Sequence, residues 1–281
     1  MSDPIYLDYA ATTPVDAAVL EAMLPHFREE FGNPSSVHRW GRNAEKVIEQ
    51  ARRDIAAILN CEPNEITFTS GGTESDNFAL RGAALAMREA GRGNHLITTA
   101  IEHHAVLHTA EQLRDHYGFD LTILPVDECG RVRLPNVEAA IRPGTILISV
   151  MHANNEIGTI QPIAELAELA RARNILTHTD AVQAASQLDV DVKKLGVDML
   201  AIGAHKFYGP KGVGALYVGK GTPLISAQTG GGHERGRRAG TSNVPYIVGM
   251  AAALKLVAER RETDNARYRQ LRDRLIAGIT Q

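Results

Sequence analysis

EITFTS (65–70), HLITTA (95–100), LTILPV (121–126), TILISVM (145–151), ILTHTD (175–180), DMLAIG (198–203) and GALYVG (214–219) are the runs whose reading decides the fold. Each is short, rich in β-branched or apolar residues and bounded by turn formers, as a buried strand is. Between them, ESDNFALRGAALAMREAG (74–91), HAVLHTAEQLRDHYG (104–118) and IAELAELARARN (163–174) space their apolar residues three and four apart, which is helical. Strands joined by helices of this length need right-handed crossovers, hence an α/β fold with a mainly parallel, seven-stranded sheet flanked by helices. The pattern leaves open whether GALYVG pairs in the parallel or the antiparallel sense.

Working outward, two helical patterns flank the loop FGNPSSVHRWG (31–41) ahead of the sheet. Behind it come a glycine-rich basic segment, GGGHERGRRAGTSN (230–243), and a long helical stretch from about Pro245. There is no internal repeat and no low-complexity linker. The final residues, RYRQLRDRLIAGITQ, form an amphipathic helix with nothing left in the chain to pack against, which suggests a missing C-terminal part. The 281 residues, 44% hydrophobic and 22% charged, are those of an ordinary globular chain. A net charge of −3 gives no global reason to expect nucleic acid or an anionic membrane as partner. No apolar run approaches the roughly 20 residues of a membrane helix. MSDPIYLDYAATTP lacks the basic-then-apolar pattern of a secretory signal. The only two cysteines, Cys61 and Cys129, exclude a disulfide framework and fit a reducing compartment, so a cytoplasmic protein is expected.

Ligands of open α/β sheets bind beyond the carboxyl ends of the strands. Those ends supply SGGTES (70–75), EHH (102–104), HANNE (152–156), DAVQ (180–183) and GAHK (203–206), and the glycine-rich loop adds RAGT (238–241). SGGTES opens a helix, so its glycines let backbone N–H groups approach an anion and Thr73 adds a hydroxyl. The plainer reading is a helix start with Ser70 or Thr73 as N-cap and Glu74 and Asp76 complementing the dipole. Asp180 ends an apolar strand, where a carboxylate needs a cationic or protonated partner unless it merely caps the next turn. Gln183, one turn on, shares that space. His103 is placed to stack on an aromatic ring and to move protons, or simply to cap a helix. The other histidines form no metal-ligand set, and no metal is assigned. Lys206 sits at the mouth of a buried strand before the turn FYGPKG, where partial desolvation favours the neutral amine that Schiff-base chemistry requires. An arbitrary lysine there would be a surface residue, but this one is surrounded by Asp180, Gln183, His103 and SGGT at the same sheet edge.

With these motifs collected, the chain resembles the cysteine desulfurases of the NifS/IscS type, class V aminotransferase-like enzymes of fold type I that depend on pyridoxal 5′-phosphate (PLP). The resemblance runs through YLDYAATTPVD, FGNPSS, TSGGTESDN, EHHAV, MHANNEIG, HTDAVQ, AHKFYGPKGVGALY and GGGHERGRRAGT. The EHHAV and GPKGVGALY forms look more like the NifS/IscS group than the SufS group. It implies a PLP-binding large domain over 16–260, an N-terminal segment 1–15 belonging with a small domain, and the start of that otherwise largely absent domain at 261–281. It makes Lys206 the lysine that carries PLP and His103 its stacking, proton-moving partner. Asp180 would pair with the pyridine nitrogen, and Gln183 and Asn155 would contact the phenolic oxygen. Gly72, Thr73 and His205, with the backbone at Gly203 and Ala204, would hold the phosphate. Thr241 would reach the phosphate site of the neighbouring subunit, which implies a homodimer. Family members commonly carry serine at the position of Gly203. The family's sulfur-accepting cysteine and its carboxylate-binding arginine fall beyond residue 281; neither Cys61 nor Cys129 matches that cysteine loop. The implied reaction converts L-cysteine to L-alanine and leaves an enzyme persulfide for iron–sulfur scaffold and other acceptor proteins and for tRNA thiolation. A non-catalytic PLP-binding or dimerising remnant, and another PLP reaction such as transamination or selenocysteine cleavage, are the competing readings.

Overall fold

The computed structural model describes residues 4–280. Met1–Asp3 and Gln281, the outer ends of the expected first and last segments, lie outside the described residues. After an extended N-terminal strip, Asp16 caps α1 (Ala17–Met23) by accepting the Ala18 N–H. The short α2 (Pro25–Arg28) leads by way of the 31–38 loop to α3 (Arg39–Leu59). Along α3, Ala44, Ile48, Ala51, Ile55 and Leu59 form one buried stripe at helical spacing, and Asn60 ends the helix in the left-handed conformation at φ 57°.

The rest is the alternation read from the sequence. It comprises β1 (Ile66–Thr69), α4 (Gly72–Glu89), β2 (His95–Thr99), α5 (His104–Tyr117), β3 (Asp120–Leu124) and α6 (Leu134–Ala140). It continues with β4 (Thr145–Ser149), α7 (Ile163–Arg171), β5 (Leu176–Asp180), α8 (Val192–Leu195), β6 (Met199–Gly203) and β7 (Gly214–Val218). All seven expected strands pair into one sheet of order β1-β7-β6-β5-β4-β2-β3. Only β7 runs against its neighbours, β1 and β6, which settles the sense of GALYVG as antiparallel. Alternate residues of the central strands serve two cores. Met199 and Ala201 of β6 pack with Phe78, Ala79 and Ala83 of α4, while Leu200 and Ile202 join the core that takes in α3.

The strand order places the site. Because β1 lies at one edge and β2 near the other, α4 must cross the sheet, and it passes over β7, β6, β5 and β4. Its first turn therefore lies beside the carboxyl ends of the central strands. The helix begins at Gly72, two residues ahead of the apolar pattern. Behind β7, the glycine-rich loop is bolted to the sheet edge by Glu234. Its carboxylate takes Arg52 of α3 at 2.7 and 3.0 Å and the Phe68 N–H of β1 at 2.9 Å. Arg52 also lies 4.7 Å above the Phe68 ring. The last helix, α9 (Val244–Ile279), is capped by Asn243 and runs unbroken through the expected boundary at residue 260.

Candidate active site

A cavity of about 430 Å³ opens where β1, β4, β5 and β6 end. Gly72, Thr73, His103, Asn155, Asp180, Gln183, His205 and Lys206, eight of the residues singled out in the sequence, line it. Gly203 and Ala204 do not line it, although Gly203 lies against its wall: a Cβ there would be 3.2 Å from the Gly72 nitrogen. A serine at this position would thus be tight but not blocked. Thr241 is exposed and stands outside the cavity, in a separate hollow beside Glu234 and Arg238.

One end of the cavity is the first turn of α4. No side chain caps it, so neither Ser70 nor Thr73 plays the capping part weighed above. Its outward N–H groups and the helix dipole make this end a seat for an anion. Glycine is required at Gly72 because a Cβ would come within 2.4 Å of Val182 Cγ2. Glu74 turns away from the seat: it accepts the Ser70 N–H at 2.8 Å and meets Arg238 at 2.8 and 3.1 Å. Burial pushes its carboxyl up, but Arg238 and Ser70 outweigh burial and hold it below the ordinary range.

The floor is Asp180, only 5% exposed. Its Oδ1 accepts the Val182 N–H at 2.8 Å, so it does cap the local turn. Burial raises this carboxyl, against the pull of the Val182 N–H and of the nearby basic side chains His103 and Lys206. The Oε1 of Gln183 is buried with no hydrogen-bond partner among the described residues, an unmet acceptor on the cavity wall. His103 is the N-cap of α5: its Nδ1 accepts the Ala105 N–H at 3.1 Å, which assigns the ring proton of the neutral form to Nε2. Cap and site residue are here one histidine.

Lys206 closes the opposite side. Its half-buried amine donates to the carbonyls of Ala10 and, at 2.9 Å, Ala11. Burial pulls its pKa below the usual lysine value, outweighing Asp180, Asp8 and Glu156. The N-terminal strip is stitched to the lysine turn by Thr13, whose N–H donates to the His205 carbonyl at 2.9 Å and whose Oγ1 accepts the Tyr208 N–H at 2.8 Å. A larger groove of about 770 Å³, between this strip and α9, shares Lys206 and Gln183 with the cavity.

Two buried carboxylates at or beside the cavity were not assigned to it from the sequence. Asp76, read in the sequence only as complementing the dipole of the helix start, is 1% exposed and lines the cavity. Glu102 is buried behind His103 and accepts Thr99 Oγ1 at 2.6 Å and the Met151 N–H at 3.1 Å. For Asp76 the sequence offered a carboxylate near a helix start, and for Glu102 one adjoining a strand end. Cys61 and Cys129 are free thiols, and neither lines the cavity.

An uncapped helix start, an unmet amide acceptor, a buried carboxylate and a half-buried lysine on one cavity fit PLP, which presents a phosphate, a phenolic oxygen, a ring nitrogen and an aldehyde carbon. Comparison with known proteins agrees. The model of the class-V aminotransferase family matches residues 5–281. Cysteine desulfurase IscS of Clostridium botulinum is 51% identical over 279 residues, 99% of this chain and 70% of that protein. A solved NifS-like protein superposes with a TM-score of 0.95 at 42% identity, over 98% of this chain and 75% of the other. A structure described as SspA in complex with cysteine matches with a TM-score of 0.85 at 45% identity, over 90% and 72%. The chain belongs to the PLP-dependent cysteine desulfurases of the class-V aminotransferase family, IscS-type enzymes that support iron–sulfur cluster assembly.

Proposed function

We propose that this cavity holds PLP and converts L-cysteine to L-alanine, with Lys206 as the covalent anchor. The observation that carries the assignment is the convergence of Lys206, Asp180, Gln183, His103 and the uncapped start of α4 on one cavity. Bound there, PLP supplies an electron sink for bond cleavage at the substrate's carbons. The chain's own groups do the rest. The first turn of α4, with Thr73 and His205, binds the phosphate. Asp180 holds a proton on the ring nitrogen, and Gln183 and Asn155 orient the phenolic oxygen. Desolvation leaves the Lys206 amine more readily neutral, so it would serve as the nucleophile that carries PLP and would take up or return protons at the site. His103 moves protons through Nε2, because Nδ1 is occupied by the Ala105 N–H. The amino-acid substrate enters from the groove shared by Lys206 and Gln183. One matched structure, SspA, is described with cysteine bound, which supports the choice of substrate.

We assign the sulfur-accepting thiol to neither cysteine of this chain. Both lie off the cavity, and burial pushes the Cys61 thiol up to about 12, far from a reactive thiolate. The reading extends to a homodimer in which exposed Thr241 reaches the partner's phosphate seat. It also includes sulfur delivery to scaffold and acceptor proteins and to tRNA thiolation, and a cytoplasmic location. Residues 16–260 would be the cofactor-binding unit, with 1–15 and 261–281 belonging to a small domain. Among the described residues, no helix is long and apolar enough to cross a membrane.

The test is Lys206→Ala. The wild-type protein loaded with PLP should show a visible band that borohydride bleaches while fixing the cofactor to the chain. The variant should lose both the band and the fixation. Persistence of a borohydride-fixed cofactor in the variant would remove Lys206 from the assignment.

A further inference from the structure

Behind Asp180 lies a cluster of buried groups that the reaction above does not use. Asp76 reaches His178, two residues before Asp180 on β5, with Oδ1 3.5 Å from Nε2. Both side chains are essentially inaccessible, and each of these two atoms lacks any other partner among the described residues. The far nitrogen of the ring, Nδ1, meets Ser149 Oγ of β4 at 2.9 Å. Glu102 adds a third carboxyl to the same region, so Asp76, Glu102 and Asp180 are all buried within one electrostatic neighbourhood. The basic side chains facing it, His103 and Lys206, lie toward Asp180.

Three buried carboxylates with so little compensation do not all stay charged. Geometry decides which keeps its charge. Asp180 has the Val182 N–H on one oxygen and the Lys206 amine nearby, both favouring the ion. Asp76 has no backbone N–H and no cation, only an imidazole nitrogen. That ring is itself disfavoured as a cation, since burial pulls His178 down to about 3. A neutral imidazole offers one acceptor nitrogen, and a neutral carboxylic acid offers one donor; together they satisfy the two orphaned atoms.

We propose that Asp76 is a neutral carboxylic acid donating its proton to Nε2 of His178, so that Asp180 is the single charged carboxylate beside the cofactor's ring. Asp76 is then a positioning residue. It fixes His178 as the tautomer that donates from Nδ1 to Ser149, and it keeps a second negative charge away from the ring nitrogen. The role at the ring rests on the PLP reading above.

The experiment is infrared spectroscopy of the PLP-loaded protein with and without 13C-labelled aspartate, joined to the pH titration of its visible band in wild type and Asp76→Asn. A carboxylic-acid C=O stretch at neutral pH should shift on aspartate labelling, which separates it from Glu102, and should vanish in the variant. Because asparagine only replaces one neutral group by another, the pH midpoint of the visible band should move by less than about 0.3 units. Removing a nearby negative charge would instead lower it by about 1 unit or more. No aspartate-dependent C=O stretch, its survival in Asp76→Asn, or such a fall in midpoint overturns the proposal. If Asp76→Asn does not fold, the labelled Asp180→Asn variant decides: survival of the aspartate-dependent stretch there supports Asp76 as the acid, and its loss there overturns the proposal. Absence of any lysine-dependent visible band in the wild type would overturn the PLP reading instead, a distinct outcome.

Discussion

At the scale of single residues, Asp180 takes one of the two roles that the sequence left as alternatives, the turn cap, in a position compatible with the other. One oxygen caps the turn at Val182, and this fixes the carboxyl group so that it addresses the cavity. A charge-assisted hydrogen bond from a protonated ring nitrogen is worth roughly 1.5–3 kcal/mol. Asp180→Asn should therefore weaken PLP binding about 10- to 100-fold, measured by spectrophotometric titration of the cofactor-free protein. An unchanged affinity would show that Asp180 serves only its turn. Residues such as Lys206, Asp180, His103 and Gln183 were legible because strand ends in an α/β sheet converge, so their sequence positions already imply proximity. Asp76 was not. In the first turns of a helix a carboxylate has a conventional surface use, and only the packing of α4 across the sheet turns that side chain inward.

Among the elements, the seven strands and their helices were legible from periodicity, whereas the strand order was not. Nothing local in EITFTS or GALYVG states that β7 inserts between β1 and β6 with reversed direction. That insertion makes β1 an edge strand and leaves its Phe68 N–H to be satisfied by Glu234, from a loop whose glycines and arginines resemble flexible surface sequence. Glu234 and Arg235 adopt left-handed backbone at φ 47° and 57°, and the Glu234 side chain is anchored there by its ion pair with Arg52. Both partners of that pair are more than nine-tenths buried. Removing one partner of such a pair costs about 3–5 kcal/mol. Glu234→Ala should lower unfolding stability by that order in urea titration, while Glu49→Ala, whose half-exposed carboxylate meets the same guanidinium at 2.9 Å, should cost under about 1 kcal/mol. Equal effects of the two would mean that the loop is not bolted through Glu234.

For the whole molecule, the buried titratable groups give stability pH-dependent contributions of opposite sign. Burial pulls His178 down to about 3 and His95 and His152 to about 4. Each ring is protonated more readily in the unfolded chain, near 6.5, so these groups lose stability as pH falls below that value. Glu102 has the opposite sign. Burial pushes it from 4.5 up to about 8, so its contribution is full below 4.5 and is lost as pH rises toward 8. Between pH 4.5 and 6.5 the rising histidine contribution opposes the falling one from Glu102. Above 6.5 the histidines are neutral in both states, and the carboxyls raised by burial, Glu102 and Asp76, dominate. Glutamine at this position keeps an oxygen for Thr99 and Met151 but does not ionise. The difference in unfolding free energy between Glu102→Gln and wild type should therefore drift in favour of the variant as pH rises from 5 to 7.5, by up to about 1.4 kcal/mol per unit. Any fixed cost of the extra amide N–H cancels from that slope. Urea titrations at four pH values across this range measure it, and a pH-independent difference would mean that Glu102 is ionised in the folded protein throughout, with its second oxygen hydrated rather than buried.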